Sequence, residues 1–398
     1  MNKMIKGTFF LSLFLIGGCA SVYDSSVSVN ETIESHITFG ETTKIEGDGL
    51  SLSDNTVTIS MPGTYIVSGS SEDGKIIVNS SSSGTVRLIM DNVTLAGTEG
   101  PVIRVDEAKE TVIEASENTE SSITVTGEDE TGQTAAIMSH DNLVLRGNGT
   151  LNLTCEEDGI HVNDSFYVEN LNLNITAGDD GIQVNDEILI SSATLNIVSG
   201  GGALETTDER QDTDMVPSNE NGFGHGNMEN DGVVKTNISE QENEENKAKG
   251  ISCEGNIIMK NAKITVNAAD DAIHSDADVT SENGALTLQS GDDGIHADGT
   301  LTVNETDITV SQSYEGLEAK TMILNSGTID ITSSDDGINT ADPDYTGNEQ
   351  DADSSQLTIN GGIINVHSEG DGLDMNGNGE MNGGTVTVYG PSGNGDGA

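Results

Sequence analysis

Acidic residues recur in pairs along this chain, each pair directly before a small residue and an aliphatic one. The members next to the small residue are Asp158, Asp180, Asp271, Asp293, Glu315, Asp336 and Asp371, and those one place earlier include Asp179, Asp270, Asp292 and Asp335. Hard carboxylate oxygens in clusters of two to four suit Ca²⁺ better than any transition metal. We therefore expect calcium at these acids and at Asp276 and Asp298. The alternative is turn chemistry, because Asp before Gly is a favoured turn pair.

Three histidines follow the same signal at one fixed position. His161, His274 and His296 are predicted to share an outward column. Such a column could hold zinc or nickel, although solvated histidines on a polar strand face are the simpler interpretation. Together with Asn185 and Asn304, these histidines are also candidates for hydrogen bonds to sugar hydroxyls.

Basic residues that could act in catalysis are few. A calcium-dependent lyase needs Lys or Arg beside the metal to remove the proton next to a uronate carboxylate. Lys320 is the best candidate, ahead of Lys249 and Arg146, because it is close in register to Asp276 and Asp298. A solvated surface lysine is the alternative interpretation.

A repeated unit must position all of these residues. The small residues Gly159 and Gly181, and then Ala272, Gly294, Gly316 and Gly337, are separated by steps of 22, 22, 22 and 21. A fixed period of this size is typical of a solenoid. We call these small residues the pivots, and we expect glycine there because of a positive φ, with Ala272 as an exception.

One period, 294–315, indicates the architecture. Three short apolar/polar alternations, at 295–298, 301–304 and 308–311, are separated by turns rich in Gly, Asp, Asn and Glu. The pattern predicts an all-β, three-sided parallel β-helix with coils of about 22 residues. One aliphatic residue directly follows each pivot, and these residues, from Ile160 to Leu373, should form one inward ladder. Cys155 and Cys253 fall in different inward columns, so we expect buried thiols rather than a disulfide.

The overall charge narrows the classes of partner. The chain of 398 residues carries 68 acidic and 15 basic residues, a formal net charge of −53. Such a surface repels nucleic acid and anionic membranes and attracts cations. There is no Trp and aromatic residues make up 3%, which counts against the common sugar-binding modules that stack sugars on aromatic rings.

The chain order predicts a secreted, anchored protein. Residues 1–18 read as a signal peptide, and Ile16-Gly17-Gly18-Cys19 resembles a lipobox in which Cys19 is lipidated. An ordinary signal peptide cut nearby is the alternative. Residues 19–36 are predicted to be a tether. Residues 37–135 are predicted to form irregular N-terminal coils, or alternatively a separate small β-sandwich.

Residues 136–398 are predicted to form the regular β-helix. Two acidic insertions, at about 206–248 and 343–354, interrupt it, either as tolerated disorder or as loops that border a binding face. The final residues, 394–398, look like the opening of another coil, so we expect the sequence to be a piece of a longer one.

The repeated (G/A)DDGIHA(D/N)G units carry a family resemblance. With intervening strands such as LTVNETDITV and MILNSGTIDIT, and the variants KGI (249–251) and YEGLEA (314–319), they resemble the bacterial carbohydrate-binding domain-containing β-helix family. That family resembles pectate lyases in fold. The resemblance runs from about residue 37 to the C-terminus. It implies a right-handed parallel β-helix, at the cell surface or secreted, that binds calcium and acidic or cellulosic polysaccharides without demonstrated cleavage.

The resulting hypothesis is a monomeric, lipid-anchored, extracytoplasmic protein that binds polysaccharide with Ca²⁺ and does not cleave it. Polygalacturonate is an expected ligand, and a bridging cation would be required because the surface is so negative. The alternatives are a calcium-dependent polysaccharide lyase that uses Lys320, and a structural surface spacer or adhesin.

Overall fold

β-Strands make up the regular structure of the residues that the computed structural model describes, which are 34–98, 100–127, 135–203, 247–343, 345 and 353–391. The first ten are β1 (Glu34–Phe39), β2 (Lys44–Glu46), β3 (Leu50–Ser53), β4 (Thr56–Ile59), β5 (Gly63–Ser71), β6 (Lys75–Asn79), β7 (Thr85–Gly97), β8 (Ile103–Glu107), β9 (Glu110–Ala115) and β10 (Glu120–Val125).

Short strands follow at regular intervals through the middle of the chain. They are β11 (Ala135–Ser139), β12 (Leu143–Gly147), β13 (Thr150–Cys155), β14 (Asp158–Val162), β15 (Phe166–Glu169), β16 (Asn172–Ala177), β17 (Ile182–Val184), β18 (Glu187–Ser191), β19 (Thr194–Ser199), β20 (Ile251–Cys253), β21 (Asn256–Lys260), β22 (Lys263–Ala268), β23 (Ile273–Ser275), β24 (Val279–Glu282) and β25 (Ala285–Gln289).

The last ten strands continue the same pattern. They are β26 (Ile295–Asn304), β27 (Asp307–Gln312), β28 (Leu317–Leu324), β29 (Thr328–Ser333), β30 (Ile338–Thr340), β31 (Gln356–Ile359), β32 (Ile363–Ser368), β33 (Leu373–Met375), β34 (Asn378–Met381) and β35 (Thr385–Tyr389). All 35 belong to one sheet.

Parallel pairing arranges the strands in three series. The first series runs from β4 through β6, β8, β11, β14, β17, β20 and β23 to the first half of β26, the first half of β28, β30 and β33. The second contains β9, β12, β15, β18, β21, β24, the second halves of β26 and β28, β31 and β34. The third contains β10, β13, β16, β19, β22, β25, β27, β29, β32 and β35. Only β1–β2 and β3–β4 pair antiparallel within the described chain.

The register matches the columns that the sequence predicts. Ile160 pairs with Ile182, and the ladder continues through Ile251, Ile273, Ile295, Leu317 and Ile338 to Leu373. It also extends backwards through Ile137 and Ile103 to Ile76. Except for Leu373, which is half-buried, these side chains are fully buried, so the core lies inside the coils. The prediction of an all-β, parallel, solenoid-like class is confirmed, whereas the handedness stays a prediction.

The N-terminal region shares this sheet. Strands β10, β11 and β12 pair in parallel with β13, β14 and β15, one coil further along. The antiparallel pairs β1–β2 and β3–β4 lie at the first end of the described stack.

The explanation that the sequence suggests for the pivot glycines is wrong. None of the pivots has a positive φ. Among the described non-glycine residues with positive φ, all but Asp54 lie where the chain passes from the second series to the third, such as Asn170 (φ 54°) and Asn261 (φ 50°). A Cβ on Gly181 would lie 2.4 Å from Cγ2 of Ile197 and 2.5 Å from the carbonyl oxygen of Gly250. Close approach between coils, not backbone conformation, therefore favours glycine.

Several sequence predictions lie wholly or largely outside the described residues. They are the signal peptide, Cys19, most of the tether and of the two insertions, and the last residues of the chain. Among the described residues, no helix has the length and hydropathy needed to cross a membrane. Cys155 and Cys253 are buried free thiols, as the sequence predicts.

Candidate functional site

A row of polar side chains faces outward along the first strand series, one per coil. Register places these residues in succession: His161, Gln183, Ser252, His274, His296, Glu318, Asn339 and Asp374. We call them the outward row. All are half-buried except Asn339, which is buried. Neighbouring coils therefore cover part of each side chain of the row, which repeats at the strand spacing of about 4.8 Å.

The aspartates before the pivots link successive coils. The backbone N–H of Asp180 donates to Oδ1 of Asp158 (3.2 Å), and that of Asp293 donates to Oδ1 of Asp271 (3.0 Å). The backbone N–H of Asp371 donates to Asp336 in the same way (2.6 Å). One oxygen of these carboxylates thus satisfies a backbone donor of the next coil, a contact between coils that differs from the local Asp-Gly turn pair that the sequence offers as the alternative to calcium.

Lys249 replaces aspartate in this column. Its backbone N–H donates to Oδ1 of Asp180 (2.7 Å), and its ammonium donates to Oδ2 of both Asp270 and Asp271, each at 2.7 Å. Burial alone would raise the pKa of Asp271, but the hydrogen bond from His274 and the charge of Lys249 hold it below its usual range. The ammonium of Lys249 thus offsets part of the negative charge of the Asp270 and Asp271 pair.

Two histidines of the row are held between carboxylates. Nδ1 of His274 is 2.8 Å from Asp271 and its Nε2 is 3.0 Å from Asp276. Nδ1 of His296 is 2.8 Å from Asp293 and its Nε2 is 3.1 Å from Asp298. The sequence motif D-x-I-H-x-D therefore places one carboxylate at each ring nitrogen.

His296 has an additional acidic neighbour. Oε2 of Glu318, from the next coil, is 3.0 Å from the same Nδ1 that contacts Asp293. Burial would lower the pKa of His296, but Asp293 and Glu318 together raise it to about 12. Burial raises the pKa of Asp293 well above its usual range. Burial would also raise the pKa of Glu318, but His296 holds it below its usual value.

Two other groups of acids have mainly acidic neighbours. Burial, with the nearby charges of Asp158 and Asp179, raises the pKa of Asp180 to about 7 despite the hydrogen bond from Lys249. Burial and the charge of Asp335 similarly raise the pKa of Asp336 to about 6, despite the hydrogen bond from the backbone of Asp371. The carboxylates of both groups supply the oxygen ligands that Ca²⁺ prefers, and Nδ1 of His161 also lies 3.3 Å from Asp158.

The remaining candidates fall in different places. Asn185, Asp276, Asp298 and Lys320 each lie two positions after a residue of the outward row. The ammonium of Lys320 is 2.8 Å from Asp342, and Lys320 lines a small cleft of 70 Å³ with His296 and Asp298. His161 lies in the outward row, 3.3 Å from Asp158, but two coils separate it from His274.

Asn304 is not part of the outward row. It follows the second strand series, and its Oδ1 accepts a hydrogen bond of 2.7 Å from Nδ2 of Asn325. Asn360 and Asn382 continue this ladder of side-chain amides. This ladder is absent from the predicted sites, although asparagines at equivalent turns of successive coils could have indicated it.

The convergence of Glu318 on His296 was also missed. Glu318 could have been found by aligning YEGLEA with the GDDGIHAD unit of the preceding coil, since the glutamate then falls at the histidine position. The same alignment places Lys249 in the aspartate column.

The fold and the row define a class of protein: a parallel-sheet repeat with a polar, strongly acidic outer surface. The chain belongs to the carbohydrate-binding domain-containing protein family, whose model matches residues 53–223, 217–294 and 292–396. This agrees with the resemblance that the repeated motif carries.

Two relatives give more detail. A carbohydrate-binding domain-containing protein of Acetivibrio thermocellus is 26% identical over 185 residues, which are 43% of this chain and 64% of that protein. The chain thus matches a little under two thirds of the relative's length. A solved structure, the gadolinium derivative of a polysaccharide lyase-like protein from C. thermocellum, has a TM-score of 0.53 and 22% identity, covering 68% of this chain and 96% of that one. This likeness concerns the fold alone.

Proposed function

We propose that this protein binds a polysaccharide along the outward row and does not cleave it. The observation that carries the proposal is the row itself: eight coils in succession, from His161 to Asp374, present one polar side chain each. A polymer of repeated sugar units can offer similar groups to successive coils. Membership in a carbohydrate-binding family supports the same ligand class.

Calcium fits some of the predicted acids better than others. At Asp270 and Asp271 the ammonium of Lys249 already contacts both carboxylates, so this pair does not fit a second cation. Asp293 contacts His296, a nitrogen ligand that Ca²⁺ does not favour. We assign calcium to Asp335 with Asp336, and to Asp158 with Asp179 and Asp180, where the imidazole of His161 is 3.3 Å from Asp158, compared with 2.8 Å between His296 and Asp293. When bound, calcium supplies positive charge beside the row.

An acidic glycan is the ligand that most needs such a cation. With a formal net charge of −53, the chain repels a polyuronate unless a divalent ion lies between them. Bound Ca²⁺ would offset this repulsion, while the half-buried His161 and Gln183 donate or accept hydrogen bonds with sugar hydroxyls. A neutral, cellulosic chain would need no bridging ion, and calcium would then be structural only.

The contacts of Lys320 support binding over a lyase reaction. A base must be able to accept a proton, and the ammonium of Lys320 lies 2.8 Å from Asp342, a contact that stabilises its charged form. Lys320 does line the cleft beside His296, so the lyase alternative has a definite residue to test.

We further propose that the three strand series wind into a right-handed, three-sided β-helix with coils of about 22 residues. Register offsets such as Asn152 to Asn174 to Asn196 support that coil length. We propose that a lipid on Cys19 holds the monomer at the outer face of the bacterial membrane. The lipobox-like segment supports this location.

The test is equilibrium binding of the tag-free protein to polygalacturonate and to cellulose, in millimolar Ca²⁺ and in chelator. We expect polygalacturonate binding that requires Ca²⁺, with no unsaturated uronate products. Accumulation of such products, and their loss in Lys320→Ala, would establish the lyase instead. Absence of binding to any glycan would favour a spacer or adhesin.

A further inference from the structure

Two carboxylates converge on one ring nitrogen at His296. Nδ1 lies 2.8 Å from Oδ2 of Asp293 and 3.0 Å from Oε2 of Glu318. These three donor atoms all lie within 4.8 Å of one another. A ring nitrogen carries at most one hydrogen, so it cannot make a full hydrogen bond to both acceptors. A metal ion between the three atoms would be coordinated by all of them.

The donor set differs from that of the calcium candidates. One imidazole nitrogen and two carboxylate oxygens are ligands typical of Zn²⁺ and its neighbours, whereas Ca²⁺ takes oxygen. The other ring nitrogen, Nε2, contacts Oδ1 of Asp298 at 3.1 Å. Metal-bound histidines usually donate their second N–H to a carboxylate in this way, which fixes the orientation of the ring.

Two other histidines of the outward row, His274 and His161, can be compared with His296. In the preceding coil, Asp271 and Asp276 flank His274 in the same manner, but the ammonium of Lys249 contacts Asp271 at 2.7 Å. In the coil of His161, the next residue of the row is the neutral Gln183. Among the histidines of the described row, only His296 therefore has two carboxylates at Nδ1.

A small cleft borders the side of His296 that faces Asp298, and Asp293 does not line it. The cleft beside His296 and Glu318 has a volume of 70 Å³, enough for about two water molecules. The next residue of the row, Asn339, is 9% exposed, and its Oδ1 has no hydrogen-bond partner within the described chain. The Oδ1 of Asn339 is thus a buried acceptor without a partner among the described residues, and Asn339 follows Glu318 directly in the outward row.

We propose that Asp293, His296 and Glu318 bind one Zn²⁺ ion, or a divalent ion of the same class, with Asp298 as the positioning residue for His296. The bound ion has three protein ligands, one from each of these side chains. This site is separate from the proposed calcium groups, and it does not depend on the identity of the glycan.

The test uses the tag-free, metal-stripped full chain. Zn²⁺ affinity is measured by competition with a chromophoric chelator in 10 mM Ca²⁺, and anomalous scattering at the zinc edge locates the ion in crystals. We expect one ion at His296. His296→Gln and Glu318→Gln should each weaken binding at least about 10-fold, and Asp298→Asn should weaken it about 10-fold to 100-fold.

His161→Gln is the matched control, because it changes a histidine of the same motif that has Gln183 as its neighbour. It should leave Zn²⁺ affinity within about twofold. Glu318→Gln keeps the size of the side chain, and its circular dichroism should match the parent. Displacement of Zn²⁺ by calcium, equal losses in the His161 and His296 variants, or an anomalous peak elsewhere would overturn the proposal.

Discussion

The imidazole rings of His274 and His296 stack on each other, with centroids 4.9 Å apart and an interplanar angle of 27°. This stacking follows directly from the parallel register, which places the two residues opposite each other in adjacent strands. Carboxylates at both ring nitrogens of each histidine surround this pair. The repeat thus builds a local column in which aromatic rings lie between two lines of negative charge.

Removal of the ammonium of Lys249 should destabilise the fold. Asp271 is 3% exposed, so Lys249→Met leaves a buried carboxylate without its cation, and we expect a loss of about 3–5 kcal/mol in the free energy of unfolding. Urea denaturation in chelator measures it, and added Ca²⁺ should recover part of the loss. Lys260→Met is the control: its pair with Glu282 is exposed, so a change below about 1 kcal/mol is expected. Equal losses in the two variants would contradict the assignment.

Glu315 should make stability depend on pH. Burial and the charge of Glu318 raise its pKa to about 8, although Asn339 donates a hydrogen bond to it. Between the unfolded value of about 4.3 and about 8, the folded chain holds a proton that the unfolded chain has lost. Stability should therefore fall as pH rises through this window.

Glu315→Gln tests this effect, because the amide stays neutral and can still accept from Asn339. Urea unfolding at pH 5 and pH 8, in metal-free buffer, should show a smaller decline for the variant than for the parent. One such group contributes at most about 1.4 kcal/mol per pH unit. An identical change of unfolding free energy with pH in the variant and the parent would count against a protonated Glu315.

A methyl group at a pivot should force adjacent coils apart. In Gly181→Ala the new Cβ meets Ile197 and a backbone oxygen at 2.4 and 2.5 Å, so we expect a loss of about 1–3 kcal/mol. Ala272→Gly, at an equivalent pivot, should cost no more than about 1 kcal/mol. Thermal unfolding compares them. Unchanged stability of the Gly181→Ala variant would show that the coil spacing is easily adjusted.

The two buried cysteines should resist modification in the folded state. Burial raises the pKa of Cys155 to about 11 and that of Cys253 to about 12, so the reactive thiolate is scarce near neutral pH. Maleimide labelling at pH 7.5, followed by mass spectrometry of the peptides, should modify both only after urea is added. Rapid labelling of either peptide without urea would indicate that its coil opens.

The repeat period makes most of the fold predictable from the sequence. Because side chains alternate strictly in strands, the spacing of the pivots determines which residues share a column, and the ladder from Ile160 to Leu373 follows. The site is harder to predict. Whether Asp271 meets Lys249 or calcium depends on side-chain directions between coils, and the contact of Glu318 with His296 joins residues of different repeat types. Spacing alone does not encode such contacts.

The most direct test compares two double variants, each altered on a different outward surface, in their affinity for polygalacturonate in millimolar Ca²⁺. Gln183→Ala with Ser252→Ala alters the outward row, whereas Thr287→Ala with Thr309→Ala alters exposed threonines of the third strand series. Calcium-dependent binding by the parent, weakened about 10-fold by the first pair and unchanged by the second, is the predicted result. Loss of affinity only in the threonine variant, or no binding by the parent, would contradict the proposal that the polysaccharide lies along the row.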